Sequence, residues 1–473
     1  MSKSVKPKAR PAVSLPYRTS KKVVHFIGIG GIGMSSLARW FLAQNWLVTG
    51  SDAVKSQITD ELVKDGIKVK IGHKKTNLPQ NADLVVYTAA IPLDNSEFQA
   101  AVKLGVKRQT YSEALGDLTK KYKTIAIAGS HGKSSTTAMV AAILIKARMD
   151  PTVIIGTKLN GWNFRAGKSD WLVIEADEYK GSFWHYKPYS AIVTNVDLEH
   201  VDFYKNLAAV RDSFLKFLKS VSKEGCIILN GNNENSVSLI PRLKERGNVI
   251  TFSERDKAVI QKIKHVIKVP GDHNVMNALA SYKLAKALGI NEKIILKAIS
   301  EYKGVWRRIE YKGVTAKGVK VFDDYAHHPT EIKATLQALR EKFPDKKIAV
   351  CFQPHQQRRL TALYEDFITA WSDADYLLLL DVYNPKGRDE TSETKNSKTL
   401  TNDVNKLSPA TRLADSSPKQ KAFYIGAEKS IKKAVETLPL KKSDILVLMG
   451  AGDIADMTLS LLYKSNPGSV PIS

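Results

Sequence analysis

Gly129-Ser130-His131-Gly132-Lys133-Ser134 places two glycines, an ammonium and hydroxyls within six residues, after the apolar run Thr124–Ala128 and before Ser135-Thr136-Thr137. Glycines let main-chain amides close on a phosphate, Lys133 offers it a cation, and the Ser134 hydroxyl is placed to hold Mg²⁺. The spacing departs from G-x-x-x-x-G-K-[ST], because Ile127 stands where the first glycine would be. A second loop, Gly28-Ile29-Gly30-Gly31-Ile32-Gly33, follows an apolar run that begins at Val23, and Asp52 lies 19 residues beyond Gly33. That is a dinucleotide-type fingerprint, in which a pyrophosphate approaches bare backbone at a helix N-terminus. Taken alone it permits a nicotinamide-dependent dehydrogenase, or a tight turn without a ligand. A simple dehydrogenase has no use for the second phosphate loop.

Acids and imidazoles gather after other apolar runs. Glu175 ends WLVIE and is followed by Asp177 and Glu178; His200 lies in LEHVD; Asp324, Tyr325, His327 and His328 lie in DDYAHHP; His355 and Arg359 lie in FQPHQQRR. A solvated acidic turn is the alternative for 175–178, and a structural role is the alternative for His200. The pair His327-His328 precedes proline and has no third His or Cys nearby, which weakens a metal reading. Asp272 and Asn274 in GDHN are residue types that cap a helix.

These residues need elements to aim them, and strands alternate with helices along the whole chain. Strands are expected at 23–29, 46–48, 84–87, 124–128, 171–174, 191–194, 226–229, 319–322, 348–352, 376–380 and 445–448. Helices are expected over 34–42, 135–148 and 275–288, the last with apolar positions at Val275, Leu279, Tyr282, Ala285 and Leu288. The class is α/β with largely parallel sheets, whose ligands bind beyond the strand ends. The Lys/Ser/Thr/Asn-rich stretch 386–406 reads as an exposed loop. Boundaries fall near 120 and 304, giving a basic tail (1–21) and domains 22–119, 120–304 and 305–473.

The 473 residues make about three domains of ~150 residues. With 43% hydrophobic and 25% charged residues they exclude wholesale disorder. No apolar run reaches the ~20 residues of a membrane helix, so no integral membrane association is expected. Two cysteines, Cys226 and Cys351, are too few for a disulfide framework and suit a reducing cytoplasm. A net charge of +25 permits nucleic-acid binding or polyphosphate substrates. The basic residues are dispersed without an aromatic-interleaved patch, so no specific nucleic-acid partner is expected.

The ordered series HFIGIGGIGMSSLA, GSHGKSSTT, EADE, TNVDLEHVD, PGDHNVMNALA, RRIE, DDYAHHPTE, FQPH and MGAGD resembles the Mur ligase family of ATP-dependent amide-forming enzymes. The resemblance spans roughly residues 22–460. It implies a Rossmann-like N-terminal domain, a P-loop-type central ATPase domain and a Rossmann-like C-terminal domain. The implied activity joins L-alanine to the carboxylate of UDP-N-acetylmuramate through an acyl phosphate, with ATP and Mg²⁺ (or Mn²⁺), in a cytoplasmic monomer or weak homodimer. The runner-up within the family is the recycling branch, which attaches a tripeptide.

By this resemblance Gly129, Ser130, His131, Gly132, Lys133, Ser134, Ser135, Asn274, Asn277, Arg308 and Asp324 meet ATP. Ser134, Glu175 and His200 hold metal, with Asp177 and Glu178 as substitutes for Glu175. Gly28, Gly30, Gly31, Ile32, Gly33, Asp52, His73 and Thr88 meet the UDP-sugar. Tyr325, His327, His355 and Arg359 surround the amino acid, and Lys133, His200, Arg308 and His327 act in catalysis. Gln356 departs from the family's F-Q-P-H-R, leaving Arg358, Arg359 or Arg388 to supply the charge. Phe214-Leu215 stands where relatives that add later residues carry a carbamoylated lysine, which favours the alanine-type branch.

Overall fold

Val23–Ile27, Ile348–Phe352 and Ile445–Met449 are buried at every position. Strands apolar on both faces belong inside parallel sheets, where crossover helices cover each side. The computed structural model describes residues 21–200, 203–246, 248–384, 395–407, 421–427 and 430–463. The basic tail short of Lys21 and the alternative cation Arg388 lie outside them.

One compact unit runs to Thr110. Its strands are β1 (Val23–Ile27), β2 (Leu47–Asp52), β3 (Lys68–Ile71), β4 (Leu84–Tyr87) and β5 (Lys107–Thr110), in the order β3-β2-β1-β4-β5. All four pairings are parallel. The order reverses direction between β1 and β4, so the crevice beyond their C-terminal ends is the expected ligand position.

The second unit, from Tyr111, holds two sheets. The middle sheet comprises β6 (Lys123–Ala128), β7 (Thr152–Leu159), β8 (Trp162–Arg165), β9 (Trp171–Glu175), β10 (Ser190–Val193), β11 (Ile227–Asn230) and β12 (Val249–Phe252), ordered β12-β11-β10-β6-β9-β7-β8. Only the β7–β8 pairing is antiparallel among them. The central helix Lys133–Lys146 is buried almost all round. Its Met139, Val140, Ile143 and Leu144 share a core with Ala278, Leu279 and Tyr282 of helix Asp272–Ala287. That core fixes the phosphate loop at one helix start beside the N-terminus of the other.

The third sheet comprises β13 (Glu310–Val314), β14 (Lys320–Asp324), β15 (Ile348–Phe352), β16 (Tyr376–Leu380), β17 (Lys421–Gly426) and β18 (Ile445–Met449), ordered β13-β14-β18-β15-β16-β17. Pleating sends Val350 and Phe352 into the core on one face, and Ala349 and Cys351 into the core on the other.

One expectation is corrected. Within the segment read as an exposed loop, Ser397–Lys406 is a helix. Asn396 caps it: its side chain accepts from Thr399 N at 3.0 Å while Thr399 Oγ1 accepts from Asn396 N at 2.8 Å. Leu400 and Val404, one turn apart, face the core. Two apolar residues among lysines and asparagines sufficed, because the cap supplied the start signal. No helix among the described residues is long and apolar enough to cross a membrane.

Candidate active site

In the first unit the glycine loop is shaped by close approach. Gly28 has φ +82°, and a Cβ there would lie 2.5 Å from Thr88 Cγ2; a Cβ on Gly30 would lie 2.8 Å from Asp52 Oδ2. Gly28, Gly30, Asp52 and Thr88 are therefore brought together at the ends of β1, β2 and β4. Gly31 is the N-cap of helix Ile32–Ala43, which places Ile32 and Gly33 in its first turn. Asp52 Oδ2 accepts from Gly30 N at 2.8 Å, so this carboxylate already holds one of the loop amides. His73 Nδ1 lies 3.0 Å from Ser51 Oγ.

The phosphate loop is tied to the end of β10. His131 N donates to Asn195 Oδ1 (2.8 Å), Asn195 Nδ2 donates to His131 O (3.2 Å), and Thr194 Oγ1 donates to the same carbonyl (2.5 Å). Ser130 N donates to Asn195 O at 3.2 Å. These bonds use the Ser130 and His131 amides. The amides of Lys133, Ser134 and Ser135 precede the first helical bond, Thr136 N to Gly132 O, which leaves them as candidate donors to a phosphate. Gly129 has φ +136°, and a Cβ there would lie 2.0 Å from Thr194 Oγ1 and about 3 Å from two backbone nitrogens. Gly129→Ala is expected to cost more than ~3 kcal/mol through strain and overlap. Thermal melting and ATP titration would register it as a lower Tm with lost ATP affinity.

Lys133 Nζ donates to Gly129 O (2.6 Å) and to Glu178 Oε2 (3.0 Å), and Glu178 is 1% exposed. Burial works to raise the Glu178 carboxyl, but Lys133 and His200 outweigh it and hold it at about 2. Burial likewise opposes the Lys133 charge, and Glu178 and Asp177 keep the ammonium above its ordinary range. Ser134 Oγ donates to Glu175 Oε2 at 3.1 Å, and Glu175 Oε1 accepts from Gly156 N at 2.9 Å. Burial pushes the Glu175 carboxyl up against these partners. His200 Nε2 lies 3.5 Å from Glu178 Oε1, and Asp177, Glu178 and His200 offer ligand atoms within 4.8 Å of one another. The residues expected to hold metal thus fall into two half-sites: Ser134 with Glu175, and His200 with Asp177 and Glu178. Carboxylate, hydroxyl and single-imidazole donors fit a hard divalent cation.

A cavity of about 240 Å³ joins residues far apart in sequence. His131, Gly132, Ser134, Ser135, Asn274, Asn277, Arg308 and Asp324, all expected at ATP, line it together. Asn274 is no cap: helix Asp272–Ala287 starts at Gly271 without a side-chain cap, and Asn274 Nδ2 instead donates to Pro270 O at 2.7 Å. Asp324 is 1% exposed and anchors the turn before β13, accepting from Ile309 N (2.7 Å) and Ala326 N (2.8 Å).

Around the expected amino-acid positions, Tyr325, His327 and His355 stand in sequence, with ring centroids 5.4 and 6.0 Å apart. Arg359 Nη1 donates to His355 O at 3.2 Å, and its Nη2 lies 3.8 Å from Glu199 Oε2. Gln356 adopts φ +69° at the N-cap of the helix that carries Arg359. His327 Nδ1 donates to Tyr325 O (3.0 Å), leaving Nε2 as the basic nitrogen. Burial lowers its pKa to about 4, so the ring is neutral at pH 7.

Two acids that sequence reasoning did not single out organise this region. Glu331 meets Arg308 Nη1 (3.3 Å), His131 Nδ1 (3.5 Å) and His327 Nδ1 (3.4 Å), and accepts from His327 N (3.2 Å). Burial would raise its carboxyl, yet Arg308, His327 and His131 hold it well below the usual range. Glu199 sits between Arg359 and His328 Nε2, at 3.8 and 3.7 Å. The available signal for Glu331 was its place four residues after His327, on the first turn of the helix opened by Pro329.

Residues 23–123 match the Mur ligase family catalytic domain, 127–285 the Mur ligase middle domain, and 307–452 the Mur ligase glutamate ligase domain. The chain is 41% identical over 398 residues to a UDP-N-acetylmuramate–L-alanine ligase of Clostridium botulinum (strain Okra / Type B1), covering 79% of this chain and 85% of that protein. It is 37% identical over 460 residues to the enzyme so named from Clostridium tetani, covering 92% and 96%. Its structure is similar to that of UDP-N-acetylmuramate-alanine ligase from Thermotoga maritima, with 27% identity, coverage of 93% and 97%, and a TM-score of 0.76.

Proposed function

The chain belongs to the Mur ligase family, and from that premise we propose that it joins L-alanine to the carboxylate of UDP-N-acetylmuramate at the expense of ATP. The observation that carries this reading is the convergence of the phosphate-loop helix start, Asn274 and Arg308 on one cavity. A carboxylate does not condense with an amine in water, so it first takes the γ-phosphoryl group as an acyl phosphate. The amine then displaces phosphate through a tetrahedral intermediate.

Lys133 and the amides of 133–135 would stabilise charge on the moving phosphoryl group, together with Arg308, which lines the same cavity as Ser134 and Ser135. Ser134 with Glu175, and His200 with Asp177 and Glu178, would hold Mg²⁺, which supplies further charge neutralisation there. Asn274 and Asn277 line the cavity, and Asp324, which lines it too, would take the ribose. In the first unit the 28–33 loop, Asp52, His73 and Thr88 would take the UDP-sugar. Arg359 would take the amino-acid carboxylate, with Tyr325 and His355 beside it. His327 Nε2 would accept a hydrogen bond from the attacking amine and take the proton that the amine sheds as the C–N bond forms. We place the enzyme in the cytoplasm as a monomer or weak homodimer, with domains 22–119, 120–304 and 305–473.

The deciding test is phosphate release by the purified full chain with ATP, Mg²⁺ and UDP-N-acetylmuramate across L-Ala, Gly, L-Ser and the tripeptide. Release that requires both the nucleotide sugar and L-Ala is expected. Turnover with the tripeptide alone would transfer the chain to the recycling branch.

The His327 state gives a pH prediction. Between pH 6.5 and about 4 the unfolded chain takes a proton on this ring that the folded chain refuses. Its contribution to stability is therefore full above pH 6.5 and is lost as pH falls toward 4. His327→Asn should flatten that part of the Tm–pH curve; an unchanged acid slope would contradict the assignment.

A further inference from the structure

Glu97 lies in the first turn of helix Ser96–Lys103 and is completely buried. Four donors from three other segments converge on it. They are His25 Nε2 on β1 (3.0 Å), Ser51 Oγ on β2 (2.6 Å), and Lys74 N (3.0 Å) and Asn77 Nδ2 (2.6 Å) in the turn after β3. Burial alone would raise its carboxyl, but the hydrogen bonds from His25, Ser51 and Asn77 hold it below the ordinary carboxylate value. A structural tie between strands would need no more than this. The Ser51 bond does more, because a hydroxyl has one proton. That proton goes to Glu97, which can only accept. Ser51 Oγ must then accept from its other neighbour, His73 Nδ1, at 3.0 Å. The neutral ring of His73 is thereby fixed as the Nδ1–H tautomer, with Nε2 bare. Its Nδ1 is also 3.7 Å from Glu97 Oε1.

We propose that Glu97 is a positioning residue for the nucleotide-sugar site. Acting through Ser51, it orients His73 so that Nε2 is directed at a nucleoside diphosphate. This rests on the reading that His73 meets the diphosphate of UDP-N-acetylmuramate. A diphosphate offers only acceptors at neutral pH, so a bare Nε2 cannot bind it. The ring must gain a proton on binding, and the relay from Glu97 keeps the other nitrogen paired while it does.

The test uses the full chain labelled with ¹⁵N-histidine, as wild type, Ser51→Ala and Glu97→Gln, with His73→Asn to assign the signals. The free wild type is expected to show the neutral Nδ1–H tautomer of His73, and its complex with UDP-N-acetylmuramate to show both nitrogens protonated. In Ser51→Ala, which leaves Glu97 three donors, the free tautomers should mix. Its KM for the nucleotide sugar should rise about tenfold, the loss of one charge-assisted contact, with kcat and the KM for ATP within twofold. A His73 tautomer identical in wild type and both variants would overturn the relay. So would a parallel change of every kinetic constant with Tm, the mark of a merely structural tie. If wild type binds no UDP-N-acetylmuramate, the reading of the site fails, while the tautomer of the free protein still judges the relay.

Discussion

Lys133→Met lowers ATP-dependent phosphate release by ~10³-fold or more, the scale set by removing one preorganised charge stabiliser. The reason lies in the present partners of Lys133. Its ammonium bonds to Gly129 O and Glu178, both within 3.0 Å, at the start of the helix whose amides would face the phosphates. Methionine preserves the stem and removes all three donors. Glu178, 1% exposed, then keeps only His200 as a cationic neighbour at 3.5 Å. Breaking a buried pair in this way costs about 3 kcal/mol. Phosphate release should therefore fall together with Tm. In Glu178→Gln;Lys133→Met much of the Tm should return without any recovery of turnover, and recovered turnover would sink the role given to Lys133.

Glu331→Leu is the second large effect. One carboxylate holds Arg308 of the cavity wall, His131 of the phosphate loop and His327 of the amino-acid positions. Leucine fills the volume, yet it leaves Arg308 and His131 without their acceptor in a site where Glu331 is only 10% exposed. The stability loss should be about 3 kcal/mol. Because three groups lose their orientation at once, kcat/KM for both ATP and L-alanine should drop by ~10²-fold, the usual penalty for misplaced reacting groups. A steady-state series with each substrate varied would show it. A fall confined to one substrate would mean that Glu331 serves one half of the site.

The two glycine loops, the succession of α/β units along the chain and many of the buried strands were legible in the sequence. Uninterrupted runs such as Ile348–Phe352 and Tyr376–Leu380 can be little else when flanked by helical periods. Less apolar strands were not. Lys68–Ile71 and Lys107–Thr110 flank the first sheet, and half-exposed edge positions carry no apolar pattern. The helix Ser397–Lys406 was hidden because only Leu400 and Val404 mark its inner face. Within the site, residues of special type were visible, while Glu97, Glu199 and Glu331 were not. Glu97 and Glu199 have no local signature, since their partners are assembled only by the fold, and Glu331 offered only its spacing from His327. The Phe214-Leu215 position is consistent with the absence of a modified lysine, for both residues are buried in the core on helix Leu207–Leu218.

The hydrogen bonds that tie Ser130 and His131 to Thr194 and Asn195 run wholly between protein groups. Fixing a residue's backbone costs about 1–2 kcal/mol of conformational entropy, and here that cost is met during folding rather than at association. Nucleotide capture at this loop accordingly needs no ordering step. Its on-rate should be limited by encounter rather than by loop rearrangement, and the slow events of the cycle should lie with the groups gathered around Glu331.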